Sequence, residues 1–458
     1  MNLIVFSALA GVVMMLSGVF VKSKRTVSSI AFFAILVILV MNTCELKGNQ
    51  LFTFSLHDML RFDTFGLLLN EILIIAGAIY FLLSGPDIEK VGENVPDYYA
   101  LIFFVFCGVG IVTAYQSLLM LFLGIEIISI PLYILTASDK PNLKSVEASL
   151  KYFLMGSFST GIMLMGIALV YGGTGSFFIE SMKFGQVNQS YNLAAGLLLL
   201  LASMCFKVSA APFHFWTPDV YDGAPVPFTS FMATIVKVAC FVAFIKLFEG
   251  SSEDVFHKWR YIISFVIACT LLIGNITAVF QQSVKRMLAY SSIAQAGFML
   301  FALFAFNQIG KEALVLYASA YCLATIGIFA ILGRMDDYTF NGFNGLAKRE
   351  PLLAFVNTVF FLSLAGIPLT AGFFGKYYMI ANALQYGEKF LWLFIVAMLC
   401  AAVSVYYYFR VIQAMYFKSG DGAPLTTTPL FKYVLVGVAA LIIIIGVNPQ
   451  WVLQYLYF

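Results

Sequence analysis

The stretch Leu201-Ala202-Ser203-Met204-Cys205-Phe206-Lys207-Val208-Ser209-Ala210-Ala211-Pro212 places a lysine and then a proline near the end of an apolar run that starts at residue 191. A proline inside a helix removes a backbone donor and clashes with the carbonyl one turn back, so we expect the helix to break here. Placing a charged side chain at the centre of a bilayer costs roughly 2.5 to 3.5 kcal/mol, so such a residue usually has an ion-pair partner or a function. The stretch therefore predicts an interrupted membrane helix with a buried lysine beside the break.

The same combination returns in residues 353–386, where Leu364-Ala365-Gly366-Ile367-Pro368 is followed by Lys376. One continuous helix over this segment would be about 51 Å long at about 1.5 Å per residue, well beyond the roughly 30 Å hydrocarbon core of a bilayer. It must therefore tilt, protrude or break. Two interrupted helices five spans apart predict an internal repeat of five helices. Because five is odd, the second copy would be inverted, as in transporters that hold a site between broken helices.

Composition places the whole chain in the membrane. It has 458 residues, of which 61% are hydrophobic and only 11% are charged, whereas a soluble domain is about 25% charged. A net charge of +3 implies neither nucleic acid nor an acidic partner. The seven cysteines are scattered without metal-ligand or disulfide spacing, so we interpret them as packed core residues.

Continuous apolar runs of about 20 residues predict helices, because barrel strands would alternate over about ten residues. The predicted fold is an all-α polytopic membrane protein with about fourteen transmembrane helices. It would contain two inverted five-helix repeats with discontinuous helices 7 and 12. The predicted spans are 2–20, 27–43, 65–83, 98–114, 116–136, 147–171, 191–217, 227–248, 260–280, 286–306, 311–333, 353–386, 389–415 and 430–448. The predicted units are 1–95, with three helices, 96–250 and 251–417, with one repeat each, and 418–458, with the last helix.

Basic residues predict the orientation of these helices. Lys22, Lys24 and Arg25 lie in the first loop, and positive loops stay on the cytoplasmic side. With an even number of spans, both termini are then expected on the non-cytoplasmic side. The first span has no basic residue before it and no evident cleavage site, so it is expected to be retained.

Four charges lie deep in apolar segments. Lys237 and Glu126 are each about ten residues, or about 15 Å, into a predicted span, and they form the natural ion pair. Lys207 and Lys376 lie next to the predicted breaks, where freed carbonyls and water can solvate them. Burial favours the neutral form of a lysine and a nearby carboxylate favours its charged form. Such a set can load and release protons, so it predicts a relay.

Other polar residues carry weaker signals. His214 follows the first break and is read either as a proton carrier between Lys207 and a membrane face or as a packed histidine. On depth alone, Lys151, Lys246 and Arg410 are expected to extend to the lipid headgroups.

Asp219 and Asp222 are interpreted as helix caps or, less simply, as proton collectors on the cytoplasmic side. A membrane-embedded enzyme using His214 with one of these aspartates is a third reading. It is weakened because the sequence has no nucleophile elbow or Gly-rich phosphate loop.

Three runs resemble signatures of the antiporter-like subunits of respiratory complex I, a likeness that extends over roughly residues 95–450. They are Phe206-Lys207-Val208-Ser209-Ala210-Ala211-Pro212-Phe213-His214-Phe215-Trp216-Thr217-Pro218-Asp219-Val220-Tyr221-Asp222-Gly223-Ala224-Pro225, followed by Lys237; Lys285-Arg286-Met287-Leu288-Ala289-Tyr290-Ser291-Ser292-Ile293-Ala294-Gln295-Ala296-Gly297; and Leu364-Ala365-Gly366-Ile367-Pro368 through Gly375-Lys376. The Pro-Asp-Val-Tyr motif and the lysine at position 376 resemble the corresponding residues of the N-type subunits of bacterial NADH:quinone oxidoreductase.

This resemblance implies one proton channel of a redox-driven pump in a bacterial inner membrane. No cofactor is expected on this chain, because NADH, flavin, iron–sulfur clusters and quinone would be handled by partner subunits. The implied partners are other membrane subunits of complex I, including an M-like antiporter subunit and small K- and J-like subunits, together with the lipid bilayer and without nucleic acid. The alternative is a subunit of a sodium/proton antiporter or a membrane-bound hydrogenase, which share these motifs.

Carried over by position, the resemblance makes Glu126 and Lys237 the coupling pair, Lys207 the central lysine and Lys376 a residue of the outward path. It also makes Lys151 a possible relay member. Gln295 departs from the family pattern, because many relatives have histidine there and glutamine does not titrate. The central path is therefore least determined at that position.

Overall fold

The computed structural model describes residues 1–52, 57–182, 191–248, 253–305, 307–420 and 425–456, without the side chains of 253–258. Within these ranges, twelve helices are long and apolar enough to cross a membrane, and strands are represented only by three isolated bridges. The prediction of an all-α polytopic membrane protein is confirmed. The unit boundary predicted at 250/251 falls outside the described residues, and the fourteen-span repeat stays a prediction.

Most predicted spans agree with the observed helices to within a few residues. Before the first break they are α1 (Asn2–Phe20), α2 (Lys24–Leu46), α3 (Thr64–Val91), α4 (Val95–Ala114), α5 (Leu118–Thr136), α6 (Leu143–Thr174) and α7 (Tyr191–Lys207). Beyond it lie α8 (Trp216–Gly223), α9 (Val226–Phe231), a π-helical turn (Met232–Val236), α10 (Lys237–Leu247), α11 (Glu253–Val279), α12 (Val284–Ala305) and α13 (Gln308–Leu332).

The C-terminal third begins with a short helix and contains the second break. Its helices are α14 (Leu346–Arg349), α15 (Pro351–Ala365), α16 (Ala371–Leu384), α17 (Leu391–Phe417), α18 (Pro429–Val447) and α19 (Gln450–Leu453). Short 3₁₀ turns cover Ile179–Ser181, Phe340–Phe343, Glu388–Phe390 and Gln454–Leu456.

The first break follows Lys207, the last residue of α7. Beyond it the backbone turns through Ser209, which has a φ of +64°. The amide of Ala211 donates to Thr270 Oγ1 of α11 at 2.9 Å, and the indole of Trp216 donates to Phe206 O at 3.1 Å. Groups that the helix leaves unpaired are thus satisfied by tertiary contacts, as a buried break requires.

The second break follows Ala365, the last residue of α15. Gly366 adopts a φ of +81° and its amide donates to Leu362 O at 3.0 Å, which is the left-handed ending that favours glycine. A Cβ at this position would also lie 2.9 Å from Lys376 Cδ. The ending leaves the carbonyls of Leu364 and Ala365 without helical donors, so they can accept from side chains.

The central helices are shielded from the surroundings by the outer ones. The continuous segment Val226–Leu247 and α13 are buried along their whole apolar length, and α12 nearly so. Less than half of the apolar length of α1, α6 and α17 is buried, and Phe20 at the end of α1 is 81% exposed. Lys237 and Gln295, which lie on these central helices, are therefore out of reach of lipid.

Candidate functional site

Lys237 lies at the centre of the buried helices. It is 2% exposed and directly follows the π-helical turn, a wide turn that is frequent at functional sites. Its ammonium donates to Ser292 O of α12 at 3.0 Å and closely contacts Ser292 Oγ. The Tyr221 ring lies 5.8 Å away. The charge that the sequence predicts to be deep in the membrane is thus bound by α12.

The polar contacts continue from Ser292 to α13. Ser292 Oγ lies 3.1 Å from the hydroxyl of Tyr321. Tyr321 lines a small cavity of about 10 Å³, room for about one water molecule, together with Tyr317, Gln295 and Ser363. A cavity with several polar groups in its wall is where a water molecule can bridge them.

Gln295 occupies the far side of this cavity and is 1% exposed. Its amide nitrogen donates to Leu364 O at 3.0 Å and to the Tyr408 hydroxyl at 2.9 Å. Its amide oxygen accepts a close hydrogen bond from the Tyr317 hydroxyl. Gln295 therefore joins α12 to α13, α15 and α17.

Lys376 completes the path at the second break. It is 5% exposed, and its ammonium donates to Leu364 O at 2.7 Å and to Ala365 O at 3.1 Å. The Phe298 ring lies 4.6 Å from Nζ. The freed carbonyls at the break therefore bind this lysine, as the sequence predicts. We call Lys237, Ser292, Tyr321, Gln295 and Lys376 the polar line.

Lys207 and Glu126 lie together on the other side of Lys237. Lys207 Nζ donates to Ser129 Oγ of α5 at 3.0 Å, and Glu126, one turn earlier in α5, accepts from Thr160 Oγ1 of α6 at 2.7 Å. The Glu126 carboxylate is close enough to Lys207 to attract it electrostatically. Among the described residues no ion pair joins Glu126 to Lys237, because Lys237 turns towards α12. The predicted pairing is corrected accordingly: Glu126 faces Lys207.

Cys240 lies near both groups. It lies one turn after Lys237 in α10, is 3% exposed, and is within electrostatic range of both Lys207 and Lys237. A thiol is a weak donor and acceptor. Lys207 and Lys237 therefore both lie near this thiol.

His214 and Lys151 lie apart from the polar line. His214 is 5% exposed and stacks on Phe215 with ring centroids 4.6 Å apart, in the linker between α7 and α8. No hydrogen bond in the described part of the chain joins it to Lys207. Lys151 Nζ lies 2.9 Å from Asp219 Oδ2 and 2.8 Å from Glu147 Oε1, within a partly exposed ion-pair cluster.

Arg286 completes that cluster at 3.1 Å from Asp219 Oδ1. Partial burial raises the pKa of Asp219, but the ion pairs with Lys151 and Arg286 outweigh this and hold it below its usual value. Asp219 is therefore a charged partner of two cations, and nothing in its contacts involves His214. These contacts give no support to an enzyme that pairs His214 with Asp219.

Two further lysines are buried although the sequence does not predict it. Lys285 is 3% exposed and donates to Asp222 O and Ala224 O, both at 2.7 Å, at the C-terminal end of α8. Lys246 is 2% exposed and lies 3.2 Å from Asp63 Oδ2, so the expectation that it extends to the headgroups is wrong. Depth along the chain placed Lys246 near a helix end, and only the packing shows that both lysines are covered.

Buried lysines joined by hydroxyls and an amide, between two broken helices, define a membrane protein of the ion-translocating, antiporter-like class. The chain belongs to the family described as NADH:quinone oxidoreductase/Mrp antiporter, transmembrane, whose model matches residues 116–402.

Named relatives and solved structures agree with this membership. The chain is 39% identical to the NADH-quinone oxidoreductase subunit N of Cytophaga hutchinsonii, over 99% of both chains. It is similar to a chain of respiratory complex I from Thermus thermophilus, with a TM-score of 0.86, 30% identity and 99% of each chain covered. It also shares the fold of a chain from an archaeal membrane-bound sulfane sulfur reductase, with a TM-score of 0.88, 24% identity, and 99% and 95% coverage.

Proposed function

We propose that the chain is a proton-translocating membrane subunit of a bacterial NADH:quinone oxidoreductase and that protons cross it by way of Lys207, Lys237 and Lys376. The observation that carries this proposal is the polar line, which connects Lys237 to Lys376 through hydroxyls, a small polar cavity and one shared carbonyl oxygen. Membership of the family supplies the class of activity.

The contacts favour exchanging two of the roles taken from the resemblance. Lys207 is the lysine beside Glu126, so these two form the coupling pair. Lys237 then takes the central position between Lys207 and the polar line. When the Glu126 carboxylate attracts Lys207, the positive charge on Lys207 is favoured; when that attraction weakens, the proton is more readily passed on. Lysine suits this task because, unlike arginine, it can lose its proton when buried.

Transfer from Lys237 to Lys376 uses groups that exchange protons without retaining charge. The hydroxyls of Ser292 and Tyr321 can each accept one proton while donating another. Water in the cavity beside Tyr321 would carry the proton towards Lys376, past Gln295. Because an amide does not titrate, Gln295 positions Lys376 and Tyr317 and does not carry the proton itself.

The energy for this transfer would come from redox chemistry in partner subunits, which would hold NADH, flavin, iron–sulfur clusters and quinone. The partners would be an M-like antiporter subunit and the small K- and J-like subunits in a bacterial inner membrane. Counting the two interrupted segments with the twelve long helices gives the fourteen spans of two inverted repeats, with both termini on the non-cytoplasmic side. Lys151 and His214 would serve proton uptake from the cytoplasmic side.

A second candidate function is that of a sodium/proton antiporter or membrane-bound hydrogenase subunit. The matching family includes Mrp antiporters, and the archaeal complex shares the fold. The 39% identity to a subunit N over nearly the whole chain favours the oxidoreductase. NADH-driven acidification of inverted membrane vesicles separates the two, because an antiporter subunit acts without NADH oxidation.

Lys207→Ala in the assembled complex tests the proposal. Inverted vesicles are supplied with NADH while a pH-sensitive dye reports acidification and absorbance reports NADH oxidation. We expect strongly impaired acidification with lower NADH oxidation. Lys432→Ala is the control, because Lys432 pairs with Glu350 at 2.7 Å, away from the polar line. Normal acidification by an assembled Lys207→Ala complex would contradict the proposal.

A further inference from the structure

A second and much larger cavity lies on the other side of α13 from the polar line. Its volume is about 920 Å³ between α3, α13 and α18, with the ends of α2 and α19 at its mouth. Tyr317 and Tyr321 of α13 line the small cavity, whereas Ser319, Cys322 and Leu323 line this one. We call it the α3–α18 groove.

The groove is long and follows the helices. Its wall on α3 extends from Thr64 to Ala76, which is about 18 Å at about 1.5 Å per residue. That is more than half of the roughly 30 Å hydrocarbon core. Its deep wall is apolar and includes Leu323 and Ile445, while Ile75 at its side is 41% exposed. Its length and apolar wall fit an extended hydrocarbon chain better than a compact ligand.

In contrast to the apolar wall, the mouth of the groove has a positively charged side chain and an interfacial aromatic one. Lys47, at the end of α2, is exposed there, and Trp451 is 47% exposed at the same mouth. Lysine attracts anionic headgroups, with about 1 kcal/mol per residue near a charged surface, and tryptophan is enriched at the headgroup level.

Glu71 also lines the groove, but it is held by its own neighbours. Its two carboxylate oxygens accept from Asn42 Nδ2 and Thr43 Oγ1, both at 2.6 Å. The carboxylate is thereby directed to α2, which leaves Lys47 as the charge that faces a headgroup.

We propose that the α3–α18 groove binds one glycerophospholipid, with its phosphate on Lys47 and an acyl chain along α3 against α13. The lipid would fill the space between α3 and α18 and support the outer face of α13, whose inner face carries Tyr317 and Tyr321. This role is independent of the proton path itself.

Photolabelling of the assembled complex with phosphatidylglycerol that carries a diazirine in its acyl chain tests this proposal. Leu323 and Ser319 of α13 line the groove and are only 7% and 5% exposed, so a label can reach them only from within the groove. We expect crosslinks on this part of α13 by peptide mass spectrometry. Ile75→Trp should place an indole across the groove and block the acyl chain, which removes the crosslinks, and Lys47→Glu should lower them severalfold.

The matched control is Ile444→Trp, on the outer face of α18, where Ile444 is 48% exposed and outside the groove. It should leave the crosslinks on α13 unchanged, and NADH oxidation reports that each complex is intact. Labelling of Phe20 without labelling of α13, or labelling of α13 that persists in Ile75→Trp, would overturn the proposal. So would labelling of α13 by a photoreactive quinone in place of the phospholipid.

Discussion

Gln295 and Lys376 donate hydrogen bonds to the same acceptor, the carbonyl oxygen of Leu364, at 3.0 and 2.7 Å. This oxygen is free because α15 ends at Ala365. An uncharged amide and an ammonium group therefore meet at one point of the second break. When Lys376 gives up its proton, the Gln295 amide still holds the acceptor in place, so the break keeps its shape through the transfer.

The first prediction concerns Gln295. Gln295→Leu removes the acceptor of the Tyr317 hydroxyl, whereas Tyr408 keeps Ser291 and Leu364 O keeps Lys376. A buried hydroxyl left unpaired costs about 1 to 3 kcal/mol. We expect proton translocation in inverted vesicles to fall about tenfold or more, since about 1.4 kcal/mol corresponds to tenfold in rate. Gln295→His, which keeps a donor and an acceptor, should retain most of the activity. Equal losses in both variants would show that polarity at this position is not what matters.

The second prediction concerns Lys376. Lys376→Arg keeps the positive charge and the ability to donate to Leu364 and Ala365, but an arginine does not lose its proton. We expect it to lower NADH-driven acidification about as much as Lys376→Ala does. Lys432→Arg, outside the polar line, is the control for the larger side chain. Full acidification by Lys376→Arg would mean that Lys376 acts only through its charge.

The third prediction concerns Ser292, the first hydroxyl after Lys237. Ser292→Ala removes the hydroxyl between Lys237 and Tyr321 but leaves the Ser292 carbonyl that also binds the lysine. A hydrogen bond to a charged group contributes about 1.5 to 3 kcal/mol, so we expect proton translocation to slow about tenfold. Ser404→Ala, equally buried and bonded to Ala401 O, should have little effect. Similar rates for the two variants would remove Ser292 from the path.

The fourth prediction concerns Lys285 and stability. Lys285→Met keeps the length of the side chain but removes the donor to Asp222 O and the shorter of two hydrogen bonds to Ala224 O, which keeps Thr229 Oγ1 at 3.3 Å. We expect a loss of about 1 to 3 kcal/mol in the free energy of unfolding, seen as a lower temperature at which the complex dissociates on native gels. Lys432→Met should shift that temperature less, because its side chain is partly exposed. An unchanged dissociation temperature would mean that water replaces the ammonium.

The spans and both breaks could be predicted from the sequence because apolar length and proline act locally. The burial of Lys237 and Lys376 followed from their depth along the chain. The partner of Glu126 did not follow, because helix rotation and packing decide which lysine it faces. Depth alone placed Lys246 at a membrane surface, whereas Asp63 and Thr113, far away in sequence, cover it. The contacts of Gln295 likewise depend on α15 and α17, which no local pattern brings to α12.

Lys237 is the residue at which the pair of Lys207 and Glu126 would hand protons to the polar line, so proton transfer should depend on it most. The most direct test is the number of protons translocated per NADH oxidised, measured in proteoliposomes that contain the assembled complex with Lys237→Met. We expect a variant complex of normal subunit content to translocate fewer protons per NADH than the wild type and to oxidise NADH more slowly. An unchanged proton count at an unchanged rate would contradict this expectation.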